Sequence, residues 1–167
     1  MNDRLENLKR LNAEIRSCRK CRLWKTRTHA LPGEGDASAN LMFVAQAPGE
    51  TEDKEDKMFV GPSGEVLDDM LSSAGVKRNE VFMTNLLKCM LPDYRKPRQD
   101  EIEACSTYLD REIQLVDPNV IVPLGYYSTR YLFNKYGIRD KLEFPEVCGE
   151  ILPISGRKIL PLGHPDA

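Results

Sequence analysis

Four short apolar runs punctuate the chain: Leu41-Met42-Phe43-Val44-Ala45, Val81-Phe82-Met83-Thr84, Val120-Ile121-Val122-Pro123-Leu124 and Ile159-Leu160-Pro161-Leu162. Runs of this length without strict polar alternation predict strands buried on both faces, as in parallel sheets. Helical patterns separate the first three. Ser63 to Ala74 ends at Gly75, and Asp100 to Leu115 carries Ile102, Cys105, Leu109 and Ile113 on one side. Tyr126 to Tyr136 follows the third run and stops at Gly137, while Ile151 to Leu162 reads as a hairpin through Ser155-Gly156-Arg157. Upstream, Leu5, Leu8, Leu11 and Ile15 predict an amphipathic helix, and Pro32, Gly33, Gly35 and Asp36 a turn-rich connection. This order predicts the α/β class: a three-layer α/β/α sandwich around a central, mostly parallel, four-stranded sheet. With 167 residues and no internal repeat or linker-like stretch, residues 1–167 are expected to form one domain.

The residues that follow these runs are polar or turn-forming: Gln46-Ala47-Pro48-Gly49-Glu50, Asn85, Gly125 and His164-Pro165. Open α/β sheets bind ligands beyond the carboxyl ends of their strands, so one crevice is predicted to gather all four groups.

Cysteine chemistry changes the picture further. Cys18-x-x-Cys21, Cys89 and Cys105 supply four thiolates, enough for a tetrahedral zinc site or a cubane iron-sulfur cluster. Fifteen residues separate Cys89 from Cys105, where zinc modules usually place a second tight pair, and this leans towards iron-sulfur. Cys148 stands apart and reads as a small buried hydrophobe. No apolar run is long enough to span a bilayer and no charged-then-apolar leader opens the chain, so the expectation is a protein away from the membrane. The expected location is the cytoplasm, a reducing compartment where a cysteine quartet means metal rather than disulfides.

The formal net charge of -2 conceals an uneven distribution. From Lys9 to Arg27, eight basic residues face the single acid Glu14, and they wrap the first cysteine pair. Such a density suits a phosphate backbone, with Arg19, Lys20 and Arg22 as candidate contacts. Arg95, Lys96 and Arg98 form a second basic group after Cys89. The acidic run Glu50, Glu52, Asp53, Glu55 and Asp56 would repel DNA on the same surface, so part of it is expected to point elsewhere.

The strings Val44-Ala45-Gln46-Ala47-Pro48-Gly49-Glu50-Thr51-Glu52-Asp53, Phe59-Val60-Gly61-Pro62-Ser63-Gly64, Thr84-Asn85-Leu86-Leu87-Lys88-Cys89 and His164-Pro165, with the four cysteines, resemble the iron-sulfur uracil-DNA glycosylases called family 4. The resemblance runs from about Cys18 to the end of the chain. It implies the uracil-DNA glycosylase fold, one 4Fe-4S cluster on Cys18, Cys21, Cys89 and Cys105, and hydrolysis of the N-glycosidic bond of deoxyuridine in uracil-containing DNA by a monomer. It also implies residue roles. Ala45, Gln46 and Ala47 would lie against the base, Phe59 would stack on it, and Asn85 would read its Watson-Crick edge. His164 would lie near O2 of the leaving base, and Glu52 would orient water at C1′ or stabilise the oxocarbenium ion. Independently of the resemblance, the charge distribution adds Arg95 and Lys96 to the basic segment as expected DNA-backbone contacts, if the cysteines bring the two groups to one metal.

Two departures from the family pattern stand out. Ala45-Gln46 replaces the usual Gly-Glu, which removes an acid role at that position. The sequence also ends at Ala167, where the pattern would continue into a DNA-entering loop and a terminal helix. Other readings are a non-catalytic iron-sulfur DNA-binding module, an iron-sulfur electron carrier and a related glycosylase of different base choice.

Overall fold

A computed structural model describes residues 2–139 and 143–165. The end of the chain at Ala167 lies outside the described residues. Five helices occur among them: α1 (Asn2–Arg16), α2 (Glu50–Glu55), α3 (Pro62–Ser73), α4 (Gln99–Val116) and α5 (Tyr126–Tyr136). Six strands, β1 (Glu34–Gly35), β2 (Leu41–Ala45), β3 (Phe82–Asn85), β4 (Val120–Pro123), β5 (Leu152–Ile154) and β6 (Arg157–Ile159), form one sheet in the order β1-β3-β2-β4-β6-β5.

The four predicted runs build the centre, where β3, β2, β4 and β6 pair in parallel. The expected four-stranded sheet is corrected to six, because β1 adds antiparallel to β3 at one edge and β5 to β6 at the other. β1 has only two residues, too few for any periodicity to show. β6 also starts earlier than its apolar run, at Arg157, with an isolated bridge between Leu124 and Leu162 continuing the pairing.

Alternation along β2 divides the core. Met42 and Val44 face a cluster holding Leu8, Leu11 and Ile15 of α1, Leu109 and Ile113 of α4, and Leu132 of α5. Phe43 and Ala45 face the opposite cluster with Leu67 and Leu71 of α3. Each such aliphatic side chain removed from water contributes about 1.5–3 kcal/mol, so both helical layers are held by burial against the sheet. α5 ends as its sequence predicts, with Gly137 at φ 64° in the left-handed region that caps a helix. α2 was not legible as a helix: it is six residues long and almost entirely charged.

Candidate active site

Three of the four predicted strand-end groups line one cavity through Gln46 to Glu50, Asn85 and His164, and the fourth, Gly125, lies behind His164. This cavity of about 230 Å³ at the carboxyl ends of β2 and β3 is bordered by Ala45, Gln46, Ala47, Glu52, Phe59, Asn85 and His164. Its floor is fixed by the backbone: Leu86 N–H donates to the Ala45 carbonyl at 2.8 Å and Leu87 N–H to that of Gln46 at 2.9 Å. Ser128 Oγ at the start of α5 also donates to the Ala45 carbonyl, at 2.9 Å. His164 is half-buried and stands against Gly125, where an added Cβ would come 3.4 Å from His164 Cβ. Gly125 has φ 90°, a backbone angle that favours glycine here, while the approach to His164 itself is ordinary van der Waals contact.

Phe59 sits at φ 49°, unusual for a bulky residue, and several contacts impose it. Arg78 donates to the Phe59 carbonyl through Nη2 at 2.5 Å and to that of Met58 through Nη1 at 3.3 Å. Met58 N–H donates to Glu34 Oε2 at 3.2 Å. Gly64 packs on the turn so closely that a Cβ would meet the Phe59 carbonyl oxygen at 2.0 Å. Glu34 pays part of this arrangement, since burial pushes its carboxyl up, partly offset by the Met58 amide and the Arg78 charge.

Glu52 is buried, and its carboxylate accepts three backbone N–H groups: Gly49 at 3.1 Å on Oε1, Val60 at 3.0 Å and Gly61 at 2.7 Å on Oε2. The neighbouring Asp53 turns inwards too, accepting from Thr28 N–H at 2.9 Å and His29 N–H at 3.1 Å. Asp56 pairs with Arg16 at 2.7 Å. Glu52, Asp53 and Asp56 of the acidic run are thus engaged within the fold.

Asn85 is buried, with Nδ2 donating to Met58 Sδ at 3.2 Å. Behind it lies a buried ionic group that the sequence did not announce. Lys88 Nζ donates to the Asn85 main-chain oxygen at 2.8 Å, to Thr84 Oγ1 at 2.6 Å and to Glu112. Glu112 also accepts from Thr84 Oγ1 at 2.7 Å and Gly33 N–H at 2.9 Å. A buried charge pair is tolerated only when such additional bonds satisfy both partners.

A second, smaller cavity is lined by Cys18, Cys21, Cys89 and Cys105 together with Trp24, Arg27, Lys88 and Tyr108. Three donors point at its sulfurs: Lys20 N–H to Cys18 at 3.4 Å, Lys88 N–H to Cys105 at 3.2 Å and Arg27 Nη1 to Cys89 at 3.3 Å. Burial pushes the Cys105 thiol up to about 12, against the Lys88 charge and amide, which lower it. Burial likewise raises Cys89, opposed by Arg27. Among the described residues no group of three or more His, Cys, Asp or Glu side chains is gathered as the ligands of a single metal ion. Four thiols around one cavity, met by amide and guanidinium donors, suit a polynuclear cluster that takes one thiolate per iron. Cys148 lies outside both cavities and is half-buried.

The candidate phosphate contacts behave unequally. Arg22 pairs with Asp100 at 2.6 Å and Glu101 at 3.1 Å, and Arg95 with Glu101 at 2.5 Å, so the charge of both is balanced by acids of α4. Arg19 lies over the Trp24 ring at 4.6 Å and Lys20 over Tyr108 at 4.5 Å; both cations and Lys96 are exposed. No helix among the described residues is long and apolar enough to cross a membrane.

Residues 32–167 match the family model of the uracil DNA glycosylase superfamily. The chain is 49% identical over 134 residues to the type-4 uracil-DNA glycosylase of Sulfurisphaera tokodaii, an alignment covering 80% of this chain and 61% of that protein. It is 45% identical to the type-4 enzyme of Saccharolobus solfataricus, over 98% of this chain and 77% of that protein. With the type-4 enzyme of Archaeoglobus fulgidus the identity is 39%, over 98% and 83% respectively.

Proposed function

The chain belongs to the uracil-DNA glycosylase superfamily and, within it, to the type-4 enzymes, and we propose that it releases uracil from DNA by hydrolysing the N-glycosidic bond of deoxyuridine, the first step of base excision repair. The observation that carries this reading is the single cavity onto which Ala45, Gln46, Ala47, Phe59, Asn85 and His164 converge from four separate stretches of sequence. A DNA clamp without chemistry has no use for that convergence.

In this reading the extruded base lies on Phe59, whose imposed backbone keeps the ring in place before substrate arrives. The Asn85 carboxamide accepts from uracil N3–H and donates to O4, a pattern that the amino group and bare N3 of cytosine do not match. When the C1′–N1 bond breaks, its electron pair passes to the base and collects partly on O2. His164 is the donor facing that oxygen, and such a donor favours the transition state over the ground state. Water adds at C1′, leaving an abasic sugar, and its proton is transferred to the departing uracil anion.

Glu52 contributes its negative charge beside the oxocarbenium ion. With three N–H groups already on its oxygens it is better suited to stabilise that cation and orient water than to remove a proton. Gln46, where the family pattern has an acid, adds an amide to the cavity wall and no charge.

Cys18, Cys21, Cys89 and Cys105 would hold one 4Fe-4S cluster, which supplies four iron–thiolate bonds that tie the N-terminal segment to the stretch from Cys89 to Cys105 and takes no part in the hydrolysis. Those thiols persist in a reducing, cytoplasmic setting. Exposed Arg19, Lys20 and Lys96 offer phosphate contacts beside it.

The test is an end-labelled oligonucleotide containing one uracil. Incubation with the protein should create an alkali-sensitive abasic site at that position, and an oligonucleotide left intact under conditions where the protein binds it would overturn this reading in favour of a clamp or a glycosylase of different base choice.

A further inference from the structure

The stretch between Cys89 and α4 carries a feature the glycosidic chemistry does not use. Leu91 and Pro97 are buried, and between them the Arg95 guanidinium closes on Glu101, with Nη1 2.9 Å from Oε1 and Nη2 2.5 Å from Oε2. The loop is thus fastened at three points. Within it Asp93 and Tyr94 both take left-handed backbone, each with φ 54°. Aspartate visits that region readily, but for an aromatic residue it is an outlier that persists only where the surroundings impose it. The outcome is that Tyr94, at 78%, is the most exposed large hydrophobic side chain among the described residues, and it borders the main cavity. Lys96 and Arg98 are exposed on the same loop, with Asp93 as its exposed acid.

We propose that Tyr94 is a stacking platform for the nucleobase next to the extruded deoxyuridine. The inference rests on the glycosylase reading above and assigns a DNA contact beyond the base pocket. Extruding a nucleotide strips its neighbour of a stacking partner on one face. An aromatic ring at the rim replaces that partner for any base, because every base presents a π-face. The three fastenings hold the loop before DNA arrives, so less conformational freedom is lost on binding. Lys96 and Arg98 lie in the same segment to meet the flanking phosphates.

The experiment compares the parent with Tyr94→Ala and Tyr94→Phe. One arm measures dissociation constants for a single-stranded oligonucleotide bearing a stable abasic-site analogue, with 2-aminopurine as the adjacent base; the other measures KM and kcat for uracil release. Tyr94→Ala should weaken binding by about 5- to 150-fold, the equivalent of one lost base stack. It should also lose the 2-aminopurine quenching seen with the parent and raise KM more than it lowers kcat. Tyr94→Phe should keep the parent's affinity and quenching. If Tyr94→Ala binds and quenches like the parent, the stacking role is wrong, whatever the enzyme does. If the parent binds the analogue and never releases uracil, the glycosylase reading fails, and the binding arm still decides the platform.

Discussion

Lys88 donates its side-chain ammonium to the main-chain oxygen of Asn85 at 2.8 Å, while its own backbone N–H lies 3.2 Å from Cys105 Sγ. One buried residue therefore stands between the cysteine cavity and the proposed base-reading carboxamide. With Glu112 it forms an ion pair that water does not reach, and this pair fixes the end of β3 from behind.

Removing one charge of that pair should be costly. Lys88→Met leaves the Glu112 carboxylate uncompensated, and a loss of about 3–5 kcal/mol is expected in urea unfolding. Adding Glu112→Met should recover much of that loss, because apolar replacements of a whole buried pair are often tolerated. A single variant as stable as the parent would show that the pair does not hold this region.

A second prediction concerns acid. The Arg95 guanidinium beside Glu101, followed by the Arg98 amide and Arg22, holds its carboxyl down from 4.5 to about 2, against the opposing effect of burial. The depressed value in the folded state means that the stabilisation is present above the unfolded pKa and is lost as pH falls from about 4.5 towards 2. Unfolding curves should therefore show Glu101→Gln less stable than the parent near neutrality, with the gap closing as pH approaches 2. A gap that stays constant with pH would contradict the assignment.

The architecture was readable because buried parallel strands leave continuous apolar runs and helices leave a stripe. β1 and α2 left neither, one being too short and the other too polar. Charge was read less well. Arg22 and Arg95 count as basic along the chain, yet Asp100 and Glu101 neutralise them in the fold, and nothing in the order of residues announces that pairing. Lys88 falls beside Cys89 in a motif, with no sign that its side chain turns inwards. Tyr94 is a lone aromatic in a Pro-flanked loop, and its exposure comes from backbone angles that residue type does not predict.

The metal assignment has its own check. Purified protein should be brown, with broad visible absorption and iron and sulfide in equal amounts. Serine at Cys18, Cys21, Cys89 or Cys105 should bleach it and lower its solubility, whereas Cys148→Ser should keep the colour. Colourless protein carrying stoichiometric zinc would overturn the cluster.

Single-turnover base release from matched uracil and cytosine oligonucleotides tests the central claim most directly. The parent should release uracil and leave cytosine in place. Losing the His164 donor in His164→Ala should slow uracil release by about 10²–10³-fold, as for other oxyanion donors, with binding little changed. Asn85→Asp removes the donor to O4 and adds an acceptor for the cytosine amino group, so uracil release should fall and residual activity shift towards cytosine. Uracil release at the parent rate by both variants would contradict the account, since Asn85 and His164 would then not form the pocket.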